Sequence, residues 1–383
     1  MNVLHLRMIL NAVALLICAG GAAMLVPASY SLLKAPEEAW IFWSPGVIAL
    51  AVGAVLYYAT RRRPSSYVSR QSMFLMVLAC WLGVVLVGTL PFMLSGFMGP
   101  VDAFFNSMAG FTTTGAATVT PEELSPALLL WRSLSQWIGG IGIIVLFVAI
   151  APLAGFGATR RGLGRAVGNA ELITYLGVIL ASTILITADL RASGHWESLA
   201  VTFREALFQS ASLTTGTAFS TTNWSAWPPF SVALLVLIIA VGGCAGSTAG
   251  GMKAIRVYLL SRNATQEVFR LVHPRAVMPL VLGDRVLPER IQVGVLGFFS
   301  VYVATVAVGT LLIALHQVPA GQAFGSVFAC VNITGAFPGA AGNAQFYADL
   351  PATAKTILAI LMLLGRLELF TVLVLLSPAF WRT

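Results

Sequence analysis

Gly110-Phe111-Thr112-Thr113-Thr114-Gly115-Ala116 closes a short apolar stretch that opens at Ala103-Phe104, and the chain repeats this design twice. The second copy runs from Ala206-Leu207-Phe208 to Thr214-Thr215-Gly216-Thr217-Ala218. The third runs from Ala323-Phe324 to Asn332-Ile333-Thr334-Gly335-Ala336. The first and third align without a gap, because Ala103 and Ala323 stand as far apart as Gly115 and Gly335. Internal repetition of this kind decides how a whole fold is read. Polar, unwound backbone at membrane depth is tolerated only inside protein or beside a water-filled path. Three matched turns therefore point to an ion pathway built from equivalent loops.

The rest of the chain supplies the membrane. Of its 383 residues 58% are hydrophobic and 9% charged, with a mean hydropathy of +0.88. A soluble domain carries about 25% charged residues. Stretches near 8–29, 40–60, 72–97, 129–152, 171–190, 228–257 (interrupted), 292–315 and 353–379 meet the requirement of about 20 apolar residues for a spanning helix. The expected fold is thus an all-α membrane protein with about eight transmembrane helices and three re-entrant pore-loop repeats. The first span is too long, and too soon followed by another, for a cleaved signal peptide.

The formal net charge of +8 is distributed as a topology signal. Basic residues gather in alternate connections: Arg7, Arg61 to Arg63, Arg70, Arg160, Arg161 and Arg165, the run from Lys253 to Arg290, and Arg382. The other connections hold Glu37, Glu38, Asp102, Glu122, Glu123, Asp189, Glu197, Glu205 and Asp349. By the positive-inside pattern both termini of this multi-pass chain are cytoplasmic. The basic clusters then sit beside anionic membrane lipid and need no nucleic acid. The acidic outer face raises local cation concentration. Cys18, Cys80, Cys244 and Cys330 stand singly in apolar segments, without disulfide or zinc spacing. His5, His195, His273 and His316 are scattered. With no nucleophile–base pair or ligand cluster, the sequence argues against an enzyme.

Each repeat reads as a span, a half-helix, a turn and a return span. In the first, 72–97 is followed by a break at Gly99-Pro100, and Asp102 is placed to cap a half-helix over 103–111. In the second, a half-helix runs from Glu197 to Leu213 and the return begins at Pro228-Pro229. In the third, Pro319 starts the half-helix and 353–379 returns as one span. Glycine takes φ values that bend the chain sharply, so successive carbonyls can face one axis. Carbonyls and Thr hydroxyls can replace the hydration shell of an alkali cation, whereas calcium usually recruits carboxylates. Thr and Gly also let helices pack closely, but three equivalent turns favour the ion path. In the middle turn Ala218 stands where the ungapped alignment has glycine. Either Ala218 is strained, or the register shifts to Thr214-Thr215-Gly216.

Two further features stand out. Gly242, Gly243, Gly246, Gly250 and Gly251 cannot hold a straight helix, since each costs about 1 kcal/mol relative to alanine. The span 228–257 should unwind there. The pattern does not meet that of a phosphate-binding loop. Arg366 is a charge within an apolar run, a functional-site hypothesis by default. Unwound carbonyls of the glycine-rich loop suit its five donors, while Glu368, two positions on, does not face it along a helix.

These stretches resemble the potassium-uptake subunits of the Trk/Ktr/HKT superfamily, closest to the bacterial Trk membrane subunit, over nearly the whole chain. Carrying the likeness besides the first turn are Trp131-Arg132-Ser133-Leu134-Ser135-Gln136-Trp137-Ile138-Gly139-Gly140 and the segment from Gly242 to Lys253. Leu364-Gly365-Arg366-Leu367-Glu368 and Pro378-Ala379-Phe380-Trp381-Arg382 add to it. The resemblance implies potassium as the transported ion and no covalently bound cofactor. It implies a homodimer in the bacterial plasma (inner) membrane, with a cytosolic nucleotide-binding (TrkA-like) regulatory subunit docked on the basic connection from Arg256 to Arg290. The ion-binding residues it implies are Thr112, Thr113, Thr114 and Gly115, Thr215, Gly216, Thr217 and Ala218, and Asn332, Ile333, Thr334 and Gly335. The gate it implies comprises Gly242, Gly243, Ala245, Gly246, Ser247, Thr248, Gly250, Gly251 and Lys253, held by Arg366.

The implied domains are two N-terminal helices (1–66), pore repeat 1 (67–160), a repeat with the gate loop (161–262) and a C-terminal repeat (263–383). The family has four repeats and this chain shows three. The link from Pro152 to Glu171 is too short for another unit, so by order the missing one is the family's second. Either the remaining loops rearrange, or a neighbouring subunit fills the gap, or the chain is a non-conducting accessory subunit.

Overall fold

The computed structural model describes residues 3–61, 70–153, 161–194, 198–244, 247, 249–274, 280–282, 285–335, 337–338 and 344–381. Arg62, Arg63, Arg160, His195, Glu197, Arg275, Ala336 and Arg382 lie outside them. In chain order the helices are α1 (Val3–Lys34), α2 (Ala39–Thr60), α3 (Arg70–Leu94), α4 (Pro100–Phe111), α5 (Pro126–Leu153), α6 (Arg161–Ala192), α7 (Leu199–Thr215), α8 (Pro229–Val241) and α9 (Ala254–Val272). A two-residue hairpin pairs β1 (Val281–Leu282) antiparallel with β2 (Arg285–Val286), a small departure from an all-helical chain. Then come α10 (Glu289–Ala314), α11 (Ala320–Asn332), α12 (Ala344–Asp349), α13 (Ala352–Arg366), α14 (Leu369–Leu376) and α15 (Pro378–Trp381).

Among the described residues, α1, α2, α3, α6 and α10 contain segments long and apolar enough to cross a membrane. The pair α13–α14, bent by 113°, makes a sixth candidate. The two remaining expected spans correspond to α5 and to α8, a shorter apolar helix that stops at Val241. Leu15, Val55, Ile173, Leu180, Val308 and Leu311 are exposed on these helices, as suits a surface solvated by lipid tails. The chain is a multi-pass membrane protein.

The chain divides into two compact units, 1–155 with 342–383, and 156–341. The stretch expected from sequence as a C-terminal repeat is therefore divided between them, α11 in one unit and α13 in the other. In the first unit, small residues let α1 and α2 meet closely. A Cβ at Gly21 would lie 2.8 Å from the Gly46 carbonyl oxygen, and one at Gly46 would lie 3.2 Å from that of Gly21. Such seams substitute for the hydrophobic drive that lipid does not supply. Asn11 closes the far end by donating from Nδ2 to Tyr57 O and Thr60 Oγ1, both at 3.2 Å.

The half-helix α4 is buried along its length after its first turn. The tryptophan-rich motif explains how: Trp131 of α5 donates from Nε1 to Gly88 O of α3 at 3.2 Å, and its ring meets Phe111 edge-on. Ser107 donates to Val85 O at 2.7 Å, while Gly110 and Gly139 leave room where α4 crosses Ser135 and where α5 crosses Phe111. Asp102 corrects one expectation. Gly99 occupies the cap position of α4 with no side-chain hydrogen bond. Asp102 lies inside the first turn, where the helix dipole favours a carboxylate, and accepts from the Lys355 ammonium of α13. The helix starts at Pro100, earlier than expected, so Asp102 is its third residue rather than the residue before it.

In the second unit Asp189, near the end of α6, accepts from Ser231 N at 3.1 Å and Ser231 Oγ at 2.6 Å. It thereby satisfies donors at the start of α8 that the helix itself leaves free. Ile255 and Leu259 of α9 pack with Leu280 and Leu287 beside the hairpin, forming a small core of their own. The return expected over 353–379 as one span is broken instead. Glu368 takes a left-handed φ of 62° between α13 and α14, and that conformation cannot continue a right-handed helix.

Candidate functional site

The three turns share one backbone construction. Each carries two left-handed residues spaced two apart: Thr113 (φ 61°) and Gly115 (80°), Gly216 (76°) and Ala218 (57°), Ile333 (57°) and Gly335 (57°). Their amides fold back onto the half-helix. Thr114 N and Gly115 N both donate to Ala109 O at 2.9 and 3.2 Å. Thr217 N and Ala218 N both donate to Ser212 O at 3.0 and 3.1 Å, and Thr334 N donates to Ala329 O at 3.1 Å. The middle turn thus keeps the ungapped register, with Ala218 in the place of Gly115 and Gly335. Hydroxyls repeat too, since Thr112 Oγ1 and Thr114 Oγ1 lie 2.8 Å apart, as do Thr215 Oγ1 and Thr217 Oγ1.

This bonding sets where the oxygens go. In a trans peptide the N–H and the preceding C=O point in opposite directions. With the amides of Thr113, Thr114 and Gly115 directed into α4, the carbonyls of Thr112, Thr113 and Thr114 face away from it. The same reasoning turns outward the carbonyls of Thr215, Gly216 and Thr217, and those of Asn332 and Ile333. Each turn is a strip of hard, uncharged oxygens.

The half-helices behind these strips hold 12, 17 and 13 residues. At about 1.5 Å per residue none matches a hydrocarbon core of about 30 Å. In the middle repeat Glu205, buried in α7, accepts from Thr221 Oγ1 and from Arg204 Nη2 at 2.7 Å. It ties the chain leaving the turn back to its half-helix.

In the second unit the glycine-rich segment comes against two of the turns. α8 ends at Gly242 (φ 68°), and α9 begins after Lys253, itself left-handed at 67°. Met252 N donates to Ala240 O and Ala254 N to Gly243 O, both at 3.1 Å, so the loop closes on its own entry. A Cβ at Gly216 would lie 3.4 Å from Ala249 Cβ and 3.6 Å from Ile333 O. One at Gly250 would lie 2.6 Å from the Asn332 carbonyl oxygen. Gly242, Gly243, Ser247, Gly250, Gly251 and Lys253 are all placed on this segment, whereas Ala245, Gly246 and Thr248 lie outside the described residues.

Arg366, in the first unit, is 4% exposed. Its Nη1 donates to Thr113 Oγ1 at 3.0 Å and its Nη2 donates to Gly139 O, with the guanidinium 5.8 Å from the Trp81 ring centroid. Through these two bonds Arg366 holds the first turn against α5. Two participants escaped the sequence reading. Tyr302 of α10 donates from its hydroxyl to Asn332 Oδ1 at 3.0 Å, and Lys355 pairs with Asp102. A tyrosine and a lysine inside apolar helices were the available signals.

No group of three or more His, Cys, Asp or Glu residues that could hold a metal ion occurs among the described residues. The family model described as TrkH, cation transport protein, matches residues 41–167 and 172–383. The Trk system potassium uptake protein TrkH of Salmonella typhimurium is 32% identical over 485 aligned positions, covering 99% of this chain and 100% of that protein. The TrkG protein of Escherichia coli is 23% identical over 489 positions. The crystal structure of the potassium transporter TrkH from Vibrio parahaemolyticus superposes with a TM-score of 0.88 at 30% identity, covering 98% of this chain and all of the other. The alignment of 485 positions exceeds the 383 residues here, so that relative holds residues without a counterpart in this chain. Its relatives are transporters rather than enzymes, and the chain belongs to the TrkH family of cation transport proteins.

Proposed function

We propose that this protein carries potassium across the bacterial plasma (inner) membrane, along the backbone carbonyls of its Thr/Gly turns, with the glycine-rich loop as gate. The observation that carries the reading is the amide-to-helix bonding of the turns, doubled in the first two, which turns successive carbonyls outward. Such oxygens replace the hydration shell of a monovalent cation without a fixed charge to trap it. The relatives' names, potassium uptake proteins, support the choice of ion. They give no support to a non-conducting accessory role.

The family match covers residues 41–167 and 172–383, and the absent repeat belongs in the link from Pro152 to Glu171. We take the protein to work as a homodimer with both termini cytoplasmic and a nucleotide-binding regulatory subunit on the basic connection. The test is rubidium uptake by purified protein in liposomes, compared with Gly115→Ser. A Cβ at Gly115 would meet nothing within 4 Å, so the substitution perturbs only the left-handed backbone. Uptake by the wild type and its loss in the variant support the reading. Equal uptake by both removes the turns from the pathway.

A further inference from the structure

We infer that Tyr302 and Asn332 form a latch that keeps the glycine-rich loop seated against the third turn, with Tyr302 as the positioning residue. The assignment rests on the reading of Gly242–Lys253 as a gate and adds what holds that gate shut.

Asn332 ends α11 and is 2% exposed. Its carboxamide is fixed at both ends: Nδ2 donates to Phe328 O at 2.8 Å, and Oδ1 accepts from the Tyr302 hydroxyl at 3.0 Å. The loop crosses directly over this residue. A Cβ at Gly250 would lie 2.6 Å from both the carbonyl carbon and the carbonyl oxygen of Asn332. A Cβ at Gly251 would lie 2.9 Å from Asn332 Oδ1. Only glycine fits at either place, and at Gly251 the φ of 76° excludes a side chain for a second reason. The loop is seated on one side by Asn332 and on the other by the Met252-to-Ala240 hydrogen bond. Rotation of the Asn332 carboxamide would push its bulk into the backbone at Gly251. The Tyr302 hydroxyl, brought in on α10 and 5% exposed as a residue, fixes that rotation. Removing one buried partner shifts a local equilibrium by about fivefold to tenfold.

The test is hydrogen–deuterium exchange on the full-length protein in lipid nanodiscs, comparing the wild type with Tyr302→Phe. The phenyl ring keeps the packing and loses only the donor. The amides of Ser247, Met252 and Ala254, each hydrogen-bonded within the loop, should exchange about fivefold faster while those of α10 and α11 keep their wild-type rates. Unchanged loop exchange overturns the latch, as does acceleration spread equally over α10 and α11, which marks general loosening. Should Tyr302→Phe not fold, Asn332→Ala removes the acceptor of the same hydrogen bond and is expected to accelerate the same three amides; unchanged rates there overturn the latch equally. Exchange is read without ion flow. A wild type that takes up no rubidium thus counts against the proposed function, while the latch stands or falls on its own measurement.

Discussion

Arg366 Nη1 donates to Thr113 Oγ1 at 3.0 Å, joining the only charge within α13's last turn to the first of the three matched turns. Its other terminal nitrogen reaches Gly139 O on α5. One planar guanidinium thereby fixes a turn and a helix together. Lysine cannot reproduce that fork. Arg366→Lys should lower stability by about 1–3 kcal/mol, the cost of a buried acceptor left unpaired, and reduce rubidium uptake. Thermal unfolding in detergent and liposome flux check both parts. Full stability with full uptake would detach Arg366 from the turn.

Lys355 and Asp102 give a second prediction. The ammonium side chain is 7% exposed and the carboxylate 31% exposed, and Lys355 also donates to Ala348 O at 2.8 Å. Asp102→Asn leaves a buried charge with weaker company and should cost about 1–3 kcal/mol, discounted for the partly exposed carboxylate. The double variant Asp102→Asn/Lys355→Met should recover part of that loss. A double-mutant cycle of unfolding free energies reads the coupling, and strictly additive effects would mean that the pair does not hold α4 to α13.

Ala218 holds a left-handed φ of 57° in the place that glycine fills in the other two turns. Strain of about 1–2 kcal/mol for a non-glycine residue there is offset by the greater freedom of unfolded glycine. Ala218→Gly should therefore raise stability slightly, by about 1 kcal/mol or less, and leave rubidium uptake intact. Gly216→Ala places a methyl group at φ 76° and should act in the opposite direction. The two melting temperatures, measured side by side, decide it.

Gly250→Ala puts a methyl group against the Asn332 backbone, which cannot rotate away as a side chain can. The loop must lift, and basal rubidium uptake should rise severalfold over the wild type. Uptake at the wild-type level in a folded variant would mean that the loop does not obstruct the path.

Much of this was legible in the sequence because membrane insertion enforces strong patterns. The half-helices followed from proline and glycine punctuation, and the interruption between α8 and α9 followed from clustered glycines. Other features depend on partners that chain order does not disclose. Asp102 looked like a cap because the half-helix was expected to begin after it, yet the helix starts at Pro100, and the partner of its carboxylate, Lys355, stands far along the chain. The break at Glu368 was hidden by continuous hydropathy, since a single left-handed residue leaves no compositional mark. The register of the middle turn was undecidable from letters, because Gly216 and Ala218 both take positive φ. Tyr302 reads as an ordinary core aromatic until its hydroxyl is seen on Asn332.

The central claim is that outward-turned carbonyls of these turns take the place of water around the transported ion. Anomalous diffraction from crystals grown in rubidium salts tests it most directly. The account predicts a peak within coordinating distance of the Gly216 and Thr217 carbonyl oxygens. A well-occupied rubidium site elsewhere in the membrane region, with these oxygens unoccupied, would contradict it.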